Sequence, residues 1–301
     1  MPVMAIEHVG PRPLDATAAT VLTLCCMIWG TGLVMVKFAN LGMPPLFNAG
    51  MRSVVAGVIL LGWAWWRGVN VFARDGSLLA GIAMGTCFSL EFVALYIGLE
   101  HTAASRATIF LHCAPFVAAA GEHYLVPGHR LSGVRLLGLV AAFVGMAVAL
   151  GAGLSEGGDT LYGDLLCLAG GVFWGLITIV FKTTGLMRVP PEKAMLLQLG
   201  VSAPLLLGLS ALVETRPIGP ITPLVAGAFL YTVLFTVVIG YSIWSWMMLK
   251  YSAASLHAFT FLTPLFGAIA GAALLGERVG LLTALGLLLV AAGIWLVNRP
   301  S

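Results

Sequence analysis

Charge is what this chain lacks most. Only 9% of its 301 residues are Asp, Glu, Lys or Arg, where an ordinary soluble domain carries about a quarter, so no water-facing surface can be built from it. Hydrophobic residues make up 60% and the mean hydropathy is +1.02, which places the chain among integral membrane proteins. The net charge is only +3, and the basic residues are scattered through short loops, so no nucleic-acid surface is expected. Other absences narrow the chemistry. No GxxxxGK[ST] phosphate loop and no GxGxxG occurs, which argues against direct use of ATP. No HExxH and no paired CxxC occurs either, so neither a metal nor another cofactor is expected. Serines and histidines are present, but no strand-to-helix elbow carries one of them as a nucleophile, so an enzyme is not expected. The five cysteines (Cys25, Cys26, Cys87, Cys113, Cys167) all fall in apolar segments and read as small packing residues.

What is present is a series of apolar runs. A helix of about 20 apolar residues crosses the hydrocarbon core, and ten such segments can be placed: 17–38, 45–66, 77–100, 102–125, 133–152, 160–182, 190–213, 222–249, 254–276 and 280–297. Short connections carry helix-ending signals such as Gly42-Met43-Pro44-Pro45, Pro190-Pro191 and Pro217-Ile218-Gly219-Pro220. The opening residues include Pro2, Glu7, Pro11, Arg12, Pro13 and Asp15. They read as a retained polar tail ahead of an uncleaved first helix, not as a secretory signal.

The two halves echo each other. Trp29-Gly30 returns 145 residues later as Trp174-Gly175, and Ala103-Ala104-Ser105 returns as Ala253-Ala254-Ser255, each followed by a mid-span proline, Pro115 or Pro264. Five spans per half is an odd number, so the second copy enters the bilayer upside down, as in the inverted repeats of many secondary transporters. The expected division is a tail (1–16), a first five-helix repeat (17–152), a joint (153–159) and a second, inverted five-helix repeat (160–298). With the N-terminus cytoplasmic, Arg12, Arg67, Arg74, Arg130, Arg135, Lys182, Arg188, Lys193, Lys250 and Arg299 share that side, and Lys37, Arg216 and Arg278 the other. That asymmetry puts both termini inside. Trp63, Trp65, Trp66, Trp244 and Trp246 then fall at the cytoplasmic boundary and read as interfacial belt residues. Gly267 and Gly271, with Gly280, Gly286 and Gly293, mark tight packing of the last helices, within the chain or between copies, so a monomer or a weak homodimer is expected.

An ionisable group at mid-bilayer costs about 2.5–3.5 kcal/mol on insertion scales and so needs a partner or a cavity. Arg52, Glu91, His112, Glu122 and His257 stand out. In the fourth span Ser105, Thr108, His112, Pro115 and Ala119 share one face; in the ninth, His257, Thr260, Pro264, Gly267 and Gly271 do so. Each proline removes a backbone donor and frees a carbonyl. Such groups are tolerated only against protein or a wet cavity, so the two helices face each other across a cavity or are kinked and buried by neighbours. Glu91 is a structural partner for Arg52, a ligand for a substrate ammonium, or a proton site. Trp29 and Trp174 either bound a cavity suited to aromatic or apolar substrates or fill the grooves opened by their glycines.

At these residues the chain resembles the drug/metabolite transporter superfamily, specifically its EamA-type ten-helix permeases. The likeness runs through Trp29-Gly30, Asn48-Ala49-Gly50-Met51-Arg52, Ala94-Leu95-Tyr96, Thr102-Ala103-Ala104-Ser105 and Pro115. It continues through Tyr251-Ser252-Ala253-Ala254-Ser255, Leu262-Thr263-Pro264 and Leu275-Gly276-Glu277-Arg278. One departure is Gly128-His129-Arg130 where the pattern expects Gly-Glu-Arg, with Glu122 seven residues after Pro115 instead. The resemblance implies an all-α integral membrane protein of ten transmembrane helices in two inverted five-helix repeats, working by alternating access around a central pocket. It is similar to the aromatic amino-acid exporter (YddG-like) branch, which implies an inner-membrane exporter of aromatic or large apolar amino acids. Alternatives are export of threonine, a cysteine-pathway compound or a purine, or a non-transporting scaffold subunit. On this reading Trp29, Glu91, Tyr96, Thr108, His112, Trp174 and His257 contact the substrate. Pro115 and Pro264 are helix breaks for gating, and Glu91, Glu122 and His112 are candidates for proton coupling. The partners are a small-molecule substrate and the lipid bilayer.

Overall fold

The structure, a computed structural model, describes residues 14–101, 110–126, 130–150, 161–275 and 281–299. All regular elements among these residues are helices. They trace ten spans: α1 (Ala16–Asn40), α2 (Pro45–Trp66), α3 (Leu78–His101), α4 (Ala114–Leu125), α5 (Gly133–Leu150), α6 (Leu161–Thr183), α7 (Pro191–Val213), α8 (Pro223–Met248), α9 in two pieces, α9a (Ala253–Thr260) and α9b (Thr263–Leu275), and α10 (Leu281–Asn298). Helix starts follow local chemistry. Asp15 accepts from Ala18 N at 2.7 Å, and Ser252 from Ser255 N at 3.1 Å, each satisfying an orphan donor of the first turn. Helices α2, α7 and α8 open on Pro45, Pro191 and Pro223, where the missing N–H has no intrahelical partner to lose. The expected spans agree with these helices to within two residues at every described end.

One span departs from expectation. The middle of α8, Thr232–Tyr241, winds as a π-helix, the loose form often found at functional sites. Helix α1 seats against it: the indole of Trp29 donates to the Thr236 carbonyl at 3.3 Å. A Cβ at Gly240 would stand 2.6 Å from that indole nitrogen.

The strong helix pairings join the first five spans to the last five. Helix α2 lies antiparallel to α7, with Ser202 Oγ on Ser53 Oγ at 3.1 Å and Gly50 against Leu207. Helix α5 lies antiparallel to α10 through reciprocal glycines. A Cβ at Gly138 would stand 2.8 Å from the Gly293 carbonyl oxygen, and one at Gly145 2.8 Å from that of Gly286. Helix α3 runs antiparallel to α6, and α1 antiparallel to α8. Helix α4 runs parallel to α6, and α9b parallel to α1. Each pairing has a counterpart with the halves exchanged. Gly286 and Gly293 are thus used within the chain, where small residues let backbones approach.

Outside the spans, the α2–α3 loop is pinned to the start of α7. Lys193 Nζ lies 2.7 Å from Asp75 Oδ2 and donates to the Ala73 carbonyl at 2.6 Å, while Ser77 Oγ donates to Asp75 Oδ1 at 2.6 Å. Lys193 and then Ser77 hold the Asp75 carboxyl well below its ordinary value. A depressed carboxyl pKa means that the contribution is complete above about pH 4, the ordinary Asp value, and fades as pH falls below it. Asp75→Asn is therefore expected to lower the unfolding temperature in detergent at pH 7, with the gap to the parent closing towards pH 3. A gap that does not change with pH would show that the link is not ionic.

Candidate functional site

The two prolines act where the sequence places them. Pro115 and Pro264 cannot donate to the carbonyls of Leu111 and Thr260, and their rings crowd those carbonyls. The helix accordingly opens into a turn at His112–Cys113 and again at Phe261–Leu262. The glycines of the two Trp-Gly pairs seat against these breaks. A Cβ at Gly30 would stand 2.6 Å from the Thr263 carbonyl oxygen and 2.7 Å from Gly267 N, and one at Gly175 would stand 3.1 Å from the Ala114 carbonyl oxygen. Both neighbours of Gly30 are backbone and cannot swing away. Gly30→Ala is expected to cost about 1–3 kcal/mol by overpacking, read as a lower unfolding temperature in detergent; an unchanged temperature would show that α1 and α9b move apart freely.

The opened turns direct rings inward, and these belong to a continuous aromatic ladder. His112 meets Phe261 at 6.1 Å between centroids and Trp174 edge-on at 5.5 Å. Trp174 meets His257 at 5.6 Å, His257 meets Trp244 at 5.2 Å, and Trp244 meets Trp29 at 5.4 Å. From Trp29 the ladder continues to Tyr241 at 5.9 Å, Phe88 at 6.0 Å and Phe92 at 4.8 Å, then Tyr96 at 5.9 Å. Edge-on and tilted rings at these distances each add about 0.5–1.5 kcal/mol beyond their buried area. Rings from α1, α3, α6, α8 and both broken helices are held in one file. It runs from near the N-terminal side of the bundle (His257 is five residues into α9a) past the middle of α3.

Polar groups punctuate the file. His257 is fully buried, and its Nε2 shares a hydrogen bond with Thr178 Oγ1 at 2.8 Å, while its Nδ1 has no partner among the described residues. At the other end Arg52 is buried with its guanidinium over the face of Phe92, 4.6 Å from the ring centroid. Glu91 and the Tyr96 and Tyr241 phenols lie within its electrostatic reach. Glu122 has a different place. Its Oε1 accepts from Ala253 N at 2.9 Å and its Oε2 from Ala254 N at 3.2 Å, so a side chain of α4 caps α9a. Lys182 Nζ lies 3.8 Å from Glu122 Oε1 and donates to the Tyr251 carbonyl at 2.6 Å, both side chains being 5% exposed.

Of the residues singled out in the sequence, Trp29, Tyr96, His112, Trp174 and His257 lie on one ladder, and Glu91 flanks it. Thr108 lies outside the described residues. Sequence reasoning missed Phe88, Phe92, Tyr241 and Phe261, which look like ordinary apolar residues in an apolar helix. It also took Trp244 for a belt residue; the ring turns inward instead, because π-winding in α8 and the contact with Trp29 carry it to the ladder. Trp63, Trp65 and Trp66 are exposed on the surface, as a belt requires, and so is Trp246, with Lys250 Nζ 3.8 Å from its ring centroid.

Comparison with known proteins agrees with this architecture. A family model described as the EamA-like transporter family matches residues 16–151 and again residues 161–299. An uncharacterized transporter of Bacillus subtilis, YvbV, is 28% identical over 290 residues, covering 94% of this chain and 92% of its own. A probable amino-acid metabolite efflux pump of Salmonella typhimurium is 26% identical over 283 residues, covering 91% of this chain and 92% of its own. A solved crystal structure superposes over 94% of this chain and 98% of its own with a TM-score of 0.79 at 17% identity, a likeness of fold.

Proposed function

Because the chain belongs to the EamA-like transporter family, and is therefore a multi-pass membrane transporter of small metabolites, we propose that it exports amino acids with aromatic or large apolar side chains. The single observation that carries this reading is the aromatic ladder, with Glu91 and Arg52 beside one end of it. A planar or apolar side chain can exchange stacking partners along such a file at little cost, since each ring offers an equivalent face or edge. Glu91 meets the substrate ammonium, His112 and His257 offer ring nitrogens, and Trp29, Tyr96 and Trp174 line the side-chain path. The name of the Salmonella relative supports amino-acid metabolites as the class.

The division into repeats 17–152 and 160–298, inverted about an axis in the membrane plane, is supported by the exchanged helix pairings. Alternating access follows as the rocking of one half against the other. The breaks before Pro115 and Pro264 are its flexible points. The Glu122–Lys182 group, which ties α4, α6 and α9a together on the side of the N-terminus, opens when the site faces that side. The ten basic residues on this side support an orientation in a cell inner membrane with both termini cytoplasmic. Glu91 and His112 remain the proton-coupling candidates. Glu122, engaged in its cap, joins them only in the state where the cap is open.

The test is counterflow in proteoliposomes with labelled phenylalanine, tryptophan, threonine and adenine, with and without a pH gradient. Saturable exchange of the two aromatic amino acids is expected. Exchange of threonine or adenine alone would move the assignment to those metabolites, and no flux of any would return the scaffold reading.

A further inference from the structure

Arg52 is more than a neighbour of Glu91. It is 4% exposed and lies seven residues into α2, about 10 Å from that helix end at 1.5 Å per residue. A buried guanidinium in a membrane span needs its hydrogen bonds satisfied. Yet Nε and Nη2 have no hydrogen-bond partner among the described residues. These two nitrogens form one side edge of the guanidinium, where two parallel N–H bonds point the same way, the geometry that accepts a carboxylate through both oxygens. The surroundings hold that edge in place. Phe92 lies under the guanidinium plane. Asn48, one turn earlier on the same face of α2, is 2% exposed, donates to Asn40 Oδ1 at 2.7 Å and keeps its own Oδ1 without a partner among the described residues. Acceptor and donors are therefore both left over on one face of α2, beside the Tyr96 end of the ladder.

We propose that Arg52 is the carboxylate-binding group of the transport site, taking the substrate carboxylate side-on through Nε and Nη2 while Glu91 takes the ammonium. A zwitterionic α-amino acid fits this pair of charges, and its side chain then points along the ladder. A purine or an amine carries no carboxylate for the Arg52 edge. This assignment rests on the amino-acid reading above and names its chemistry at one end.

The test separates the two. Thermal unfolding of the purified protein is followed with 3-phenylpropionate, which has the carboxylate and no ammonium, and with 2-phenylethylamine, which has the reverse. The parent protein is expected to rise in unfolding temperature with phenylpropionate, Arg52→Gln to lose that rise, and Arg52→Lys, which keeps the charge without the fork, to retain only a fraction of it. In counterflow, Arg52→Lys is expected to raise the KM for phenylalanine by about tenfold or more with a smaller change in maximal rate. Stabilisation by phenylpropionate that survives in Arg52→Gln, or no stabilisation of the parent, overturns the proposal. Should the parent bind phenylpropionate through Arg52 yet move no amino acid, the carboxylate site stands and the amino-acid export reading falls.

Discussion

Glu91→Gln is expected to cut saturable counterflow of phenylalanine by about 30-fold or more while the protein elutes and unfolds as the parent does. The substitution keeps the shape, removes the charge and turns one accepting oxygen into a donating NH2. A substrate ammonium that loses a buried, hydrogen-bonded counter-charge loses about 2–5 kcal/mol, and every 1.4 kcal/mol is tenfold. The loss is expected for phenylalanine and tryptophan alike, because both carry the same ammonium. His112→Ala is the companion variant. It removes the ring that joins Trp174 to Phe261 at the break before Pro115, and is expected to abolish saturable transport with the fold intact. Wild-type rates in both variants would remove the site assignment altogether.

The second large effect falls on stability. Glu122→Ala leaves the Ala253 and Ala254 amides without their carboxylate and Lys182 without its counter-charge. Each buried donor left unsatisfied costs about 1–3 kcal/mol, and breaking a buried pair costs about 3–5 kcal/mol. A fall in unfolding temperature on the order of 5–10 °C is expected in detergent. Glu122→Gln, which offers one accepting oxygen in place of two, is expected to fall by part of that amount. A change of about 1 °C or less in Glu122→Ala would show that α9a needs no cap from α4.

How much of this was legible before the structure follows from what kind of signal each feature leaves. The spans were, since a bilayer demands long apolar helices, and so were the two breaks, since Pro115 and Pro264 act on their own helices within one turn. The Glu122 cap left no such trace: it joins residues 131 apart in the sequence, and a buried glutamate reads the same whether it holds a proton, a substrate or a helix end. The contact that meets the π-wound stretch of α8 is invisible for a related reason, since it comes from an indole on α1, 207 residues away. Phe88, Phe92 and Tyr241 escaped because in a lipid-facing composition an inward aromatic has no polar contrast to mark it. Arg52 and Glu91 could be flagged by their cost, but only geometry shows that Nε and Nη2 of the guanidinium have no hydrogen-bond partner among the described residues.

The exchanged pairings bear on how the chain is made. Among the described residues, the tight glycine contacts of α5 are with α10, those of α2 with α7, and those of α3 with α6 and α7. While a ribosome is still delivering the second half, the first five spans sit in the membrane with their small-residue faces against lipid and no glycine lock to close. The α3–α6 and α2–α7 contacts can close as spans six and seven arrive, whereas the α5–α10 glycine contact waits for the last span. Two half-length genes expressed together have the surfaces to find each other, whereas either half alone is left with only a second copy of itself to pair with.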